Sequence, residues 1–149
     1  MTTIEEDDGD LTDMLGELRV LLPSAQLLSA FLITVPFAPG FAGVVAVEKH
    51  VFLATFVLSV TALVLFSAPA VQHRLMRPLP NRTRFKRIAT RQIIAGAGAL
   101  SIALVLATQL VLSSVLGHTL ANLVAGFVAA LILALWWVLP KVWFTGERL

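Results

Sequence analysis

The sequence predicts an all-α polytopic membrane protein with four transmembrane helices and both termini on the cytoplasmic side. Three observations carry this: the composition, four long uncharged apolar runs, and a lopsided distribution of cations among the segments that join them. Of 149 residues, 58% are hydrophobic and 13% charged, against roughly 45–50% and 25% in soluble domains. So few charges do not cover a water-facing surface, and the apolar excess must face another solvent. There is no cysteine, which removes disulfides and thiolate metal sites. The start, "MTTIEEDDGD", holds no cation before Arg19 and so lacks the basic opening of a secretory signal peptide.

Residues 1–10, acidic and poor in apolar groups, read as a disordered tail, and residues 11–144 as a single four-helix transmembrane domain. Leu11, Met14, Leu15, Leu18 and Leu22 recur at helical spacing. They predict either an amphipathic turn or two lying on the inner leaflet or an inward extension of the first span, with Pro23 as a possible kink. The spans run from about Val20 to Phe37, Val51 to Ala70, Ile93 to Leu116, and Leu120 to Pro140. Each approaches or exceeds the ~20 residues that cross a ~30 Å hydrocarbon core at ~1.5 Å per residue. None contains Asp, Glu, Lys or Arg. They are too long for strands and lack period-two alternation, and a helix satisfies every backbone group within its own segment.

Three connections follow. Residues 38–50 are apolar and punctuated by Pro and Gly; within them 38–47 is either re-entrant or an interfacial turn, and bare backbone in lipid favours the turn. Gly117, His118 and Thr119 form a tight turn that predicts an antiparallel hairpin of the last two helices, with Gly117 suited to a helix end. Residues 71–92 read as a basic cytoplasmic loop, in which Pro78 and Pro80 stop the second helix and Thr83 caps the third.

That loop explains the orientation. It holds Arg74, Arg77, Arg82, Arg84, Lys86, Arg87 and Arg91 with no acidic residue. With four spans it shares a side with Arg19, Lys141 and Arg148, which leaves Lys49 alone on the other. Cation-rich short loops stay in the cytoplasm. Trp136, Trp137 and Trp143 then fall at the inner interface, where indole rings anchor helices. Arg77, Arg82, Arg84, Lys86, Arg87 and Arg91 are expected to meet anionic lipid headgroups. Nucleic acid is set aside as a partner, because base stacking needs aromatic rings and Phe85 is the only one here. Asn81-Arg82-Thr83 matches a glycosylation pattern, which a cytoplasmic loop never exposes to that machinery.

Candidate chemistry is sparse. Residues 49–146 contain no acidic side chain, whereas proton- or sodium-coupled carriers place carboxylates within the bundle. Glu17, Arg19, His73 and Arg74 would gather at the inner mouth. A Glu17–Arg74 ion pair beside His73 would anchor the helices or, through the imidazole, sense protons. Gln26, Ser29 and Thr34 on the first helix, with Ser101, Thr108, Gln109 and Ser113 on the third, are the polar groups at depth. Hydrogen bonds between helices are their expected use, ahead of lining a hydrated path. Small residues recur at spacing four in Ala121, Ala125 and Ala129, in Ala95 and Ala99, and in Ala97 and Ser101, which permits close helix approach. His50 and His118 do not amount to a metal site, and no catalytic or cofactor motif stands out. A cofactor-free protein without enzymatic activity is expected.

The segment "GELRVLLPSAQLLSAFLITVPF" with "APAVQHR" resembles an uncharacterised family of small bacterial four-span membrane proteins. Its members carry a domain-of-unknown-function label and are sometimes named sodium:proton antiporters. The likeness rests on Glu17-Leu18-Arg19-Val20, Gln26, Ala30-Phe31-Leu32, Pro36-Phe37, Ala68-Pro69 and His73-Arg74. Ser24 stands where that family suggests glycine. The resemblance implies a bacterial inner membrane and four spans. The expected role is packing, as a homo-oligomer or as an accessory subunit of a membrane assembly. The competing expectation is an oligomeric conduit for a monovalent cation, proton or small solute, built around Gln26 and Gln109.

Overall fold

The computed structural model describes the backbone of residues 2–76 and 81–146, with side chains over residues 13–76 and 81–143. Arg77, Pro78 and Pro80, as well as Glu147 and Arg148, lie outside the described residues, as does the Leu11 side chain. The described residues are almost all helical, with short turns, bends and single-residue breaks between the helices. Helix α1 is Thr2–Thr34, α2 is Ala46–Leu75, α3 is Arg82–Leu116 and α4 is His118–Ile132. A π-helical stretch, Leu133–Val138, continues α4 into α5, Leu139–Gly146. Four helical segments are long and apolar enough to cross a membrane: Asp13–Phe37, Ala46–Leu75, Arg82–Leu116 and His118–Trp143. Each contains one of the four expected spans.

The helices outrun those spans. At ~1.5 Å per residue, the 35 residues of α3 reach about 52 Å, some 20 Å more than a hydrocarbon core. The basic stretch therefore needs correcting: residues 71–75 end α2 and residues 82–92 open α3, so only the middle is a connection. Arg and Lys are good helix formers, so charge alone does not mark a loop. The cap also differs from expectation. Asn81, not Thr83, closes the α3 N-terminus: the Arg84 N–H donates to Asn81 Oδ1 at 2.9 Å, and the Phe85 N–H to the Asn81 carbonyl at 3.2 Å. The N-terminal end of α1 likewise begins at Thr2, where a disordered tail was expected. Acidic residues near a helix start favour helix through its dipole.

The chain divides into two compact units, residues 1–43 with 56–100, and residues 44–55 with 101–149. In the first unit the buried positions are Leu18, Ala25, Ser29 and Leu32 on α1, Ser59, Ala62, Phe66 and Pro69 on α2, and Phe85, Ala89, Gly96 and Leu100 on α3. They recur every three, four or seven residues, the period of helices packed nearly in line. Half of them are Gly, Ala or Ser, which lets backbones come close. Gly96 is the most closely packed of the described glycines: a Cβ there would lie 2.7 and 2.9 Å from Phe66 Cε1 and Cδ1, and 3.3 Å from Leu65 Cβ.

Before the apolar run that begins near Val20, Met14 and Leu15 pack against Phe85 and Ala89. The N-terminal apolar stripe thus belongs to α1 itself, which is unbroken from Thr2 to Thr34, and packs on the start of α3. No separate surface helix forms there.

In the second unit Thr55, Ser101, Ala103, Ala121 and Ala125 are buried. A single residue, Gly117, joins α3 to α4, with a φ of 83° that favours glycine. The π-helical stretch has a local cause. Pro140 has no N–H to give Trp136, and its ring crowds that carbonyl, so the turns ahead of it widen. Between α1 and α2, two short 3-10 turns at Val35–Phe37 and Phe41–Gly43 bond the N–H groups of Ala38, Phe41 and Gly43 locally.

Candidate functional site

The polar groups of the spans follow one rule, seen helix by helix. On α1, the Ser24 hydroxyl donates to the Val20 carbonyl at 3.2 Å and Thr34 to Phe31 at 2.7 Å. On α2, Thr55 donates to Val51 and Thr61 to Val57, both at 2.7 Å, and Ser67 donates to Val64 at 3.0 Å. On α3, Thr108 donates to Leu104 at 2.8 Å, Ser113 to Leu110 at 3.0 Å and Ser114 to Val111 at 2.8 Å. A hydroxyl that bonds its own preceding turn satisfies its donor without a partner helix.

Ser29 breaks the rule. Its Oγ meets Ser59 Oγ at 2.7 Å, joining α1 to α2 inside the first unit, and both residues are buried. Ser29 was expected to make such a bond. Ser59 was not foreseen, although it lies on the stripe Ser59, Ala62, Phe66 and Pro69, whose small or polar start is the signal. Thr108 and Ser113 bond their own helix instead of a neighbour. Gln26 is exposed and Gln109 half-buried, and neither makes a hydrogen bond among the described residues.

A second polar group also went unforeseen. Gln92 Oε1 is buried with no hydrogen-bond partner. The pairs Gly96–Phe66 and His73–Phe85 run α2 and α3 antiparallel within the first unit. One turn before Gly96, Gln92 therefore sits at the level of Pro69. Pro69 lies inside α2 and has no N–H for the Leu65 carbonyl. The missing Pro69 donor and the unpartnered Gln92 oxygen thus occupy neighbouring levels of this core.

At the basic end, Glu17, Arg19 and Arg74 are exposed and His73 is half-buried. No ion pair joins Glu17 to Arg74 among the described residues. His73 is instead set against the Phe85 ring, centroids 5.9 Å apart at 53°. Arg82, Arg84, Arg87 and Arg91 are exposed and Lys86 half-buried. They are spread around the first turns of α3, with Phe85 and Ala89 turned inward. Among the described residues no group of three or more His, Asp or Glu is placed to hold a metal.

A model of a protein family matches residues 2–140, nearly the whole chain. The chain belongs to that family, DUF6328, a family of unknown function. No curated protein and no solved structure matches it. The DUF6328 match covers both units and the Ser29–Ser59 contact. It agrees with the resemblance to a family of unknown function and adds no activity to it.

Proposed function

We propose that this DUF6328 chain is a non-enzymatic integral protein of a bacterial cytoplasmic membrane that works by helix packing, as a homo-oligomer or an accessory subunit. One observation carries the reading. Hydroxyls at depth bond their own backbone or, at Ser29–Ser59, each other, so that one pair ties α1 to α2 and the others spend their donors inside the chain, not on an aqueous path. The cation asymmetry supports both termini lying in the cytoplasm. The exposed Arg82, Arg84, Arg87 and Arg91 support contact with anionic headgroups in preference to nucleic acid.

The test is native mass in detergent joined to cation and proton flux in liposomes. The reading expects a defined oligomer or a co-purifying membrane protein, and flux no greater than in empty vesicles. Cation leakage that vanishes on Gln109→Leu would replace it with the conduit.

A further inference from the structure

The α1 span, Asp13–Phe37, has four uncharged polar side chains: Ser24, Gln26, Ser29 and Thr34. Three are bonded within the chain. Gln26 alone is not, and it is exposed. It stands 13 residues from Asp13 and 11 from Phe37, the two ends of that span, about 20 and 17 Å along the axis, more than a glutamine side chain spans. Water at the interface therefore does not reach it, and lipid offers no hydrogen bond.

We propose that Gln26 marks a twofold contact with a second copy of this chain. The proposal rests on the packing role argued above and names its partner. A glutamine amide both donates and accepts, so two of them close a reciprocal pair across a twofold axis. Copies inserted with the same orientation carry Gln26 to the same depth, so a second copy always presents the matching group at that level. The surrounding surface suits a helix pair. Arg19, Pro23, Gln26, Ala30 and Ile33 are all exposed and alternate spacings of four and three, which is the seam of two helices crossing at a shallow angle. Ala30, one turn from Gln26, is small enough for close approach. The twofold places identical patches face to face.

The absence of cysteine makes the test clean. Membranes holding Ala30→Cys or Phe31→Cys are oxidised and the products weighed. Phe31 is also exposed but lies about 100° further round the helix. The proposal expects a disulfide-linked product of twice the chain mass from Ala30→Cys and little from Phe31→Cys. Adding Gln26→Leu should weaken association about tenfold, as expected for losing about 1.4 kcal/mol of interhelical hydrogen bonding, while Gln26→Asn keeps most of it. Helix content and the thermal transition of the protomer should not change with Gln26→Leu, because the amide bonds nothing in its own chain.

Monomer from Ala30→Cys, better linking through Phe31→Cys, a product containing a different protein, or unaltered dimer in Gln26→Leu would each overturn the proposal. Flux measured on the same preparations keeps the two claims apart. A linked dimer that conducts cations refutes the packing role and leaves the seam standing. A silent monomer refutes the seam and leaves an accessory role standing.

Discussion

Gly96→Ala is the sharpest probe of the α2–α3 contact. The added methyl would sit 2.7 Å from Phe66 Cε1, so the ring must retreat by about 0.8 Å to recover a relaxed carbon contact of ~3.5 Å. Phe66 is 0% exposed, so the ring cannot relax into the surroundings and must push on its neighbours. Leu65 Cβ at 3.3 Å blocks the other side. Overpacking of this kind costs about 1–3 kcal/mol. Alanine also returns about 0.5–1 kcal/mol of backbone entropy in a helix, which muddies the single value. Gly126 supplies the correction. It lies in α4, where a methyl added to it would meet nothing within 4 Å, so Gly126→Ala reports the backbone term alone. Reversible unfolding in mixed micelles, followed by helical signal, should separate the two variants by about 1–3 kcal/mol, with Gly96→Ala the less stable. Shortening the ring with Phe66→Leu in the Gly96→Ala background should recover part of the loss, a coupling of roughly 0.5–3 kcal/mol. If the two glycine variants unfold alike, the close approach of α3 to Phe66 is wrong.

Three further outcomes are expected. Ser29→Ala and Ser59→Ala should each cost little, because a released hydroxyl can bond its own preceding turn; their double-mutant cycle should show a coupling of about 0.6 kcal/mol and no more than ~2, and additive losses would mean the hydroxyls do not meet. Phe85→Ala removes the ring that holds Met14, Leu15 and Ala89, at a cost of about 3–5 kcal/mol where burial is complete, and protease should then cut the start of α1 faster while the spans stay protected; unchanged cutting contradicts the packed overhang. Arg87→Gln with Arg91→Gln should lower the anionic lipid that co-purifies, by about 1 kcal/mol of binding per cation, and native mass spectra showing the same lipid count would remove the headgroup contact.

The spans were legible because 20 residues without a charge admit few alternatives in water. Which side of each helix faces inward was not. Near the charged ends the ordinary rule holds: Met14, Leu15 and Phe85 are apolar among charges, and the N-terminal stripe marked an apolar face, read for the leaflet or the span and found packed on Phe85 and Ala89. Within the span the exterior is as apolar as the interior, so hydropathy loses its period. Ala95, Ala97 and Gly96 are then equivalent by eye, yet Gly96 is buried, Ala97 half-buried and Ala95 exposed. On α4, Ala121 and Ala125 are buried and Ala129 half-buried. There a spacing of four alone picked the inward line. The polar inventory missed Ser59 because it is one of four hydroxyls on α2, with Thr55, Thr61 and Ser67, and nothing in a single sequence marks which of them meets a neighbour. Gln92 was hidden differently, since it follows a run of cations and reads as the end of a loop.

The length of α3 sets a distance scale for its arginines. Counting back from Ile93, Arg91 and Arg87 stand about 3 and 9 Å from the apolar segment, and Arg84 and Arg82 about 14 and 17 Å. The headgroup layer on one face is only about 5–8 Å deep. If the proposed headgroup contact holds with the apolar boundary at Ile93, Arg91 lies within that layer and Arg87 at its edge, while Arg84 and Arg82 would act across water, where attraction fades over about 8 Å at physiological ionic strength. Raising the salt should silence Arg82 and Arg84 first and leave Arg91 in place.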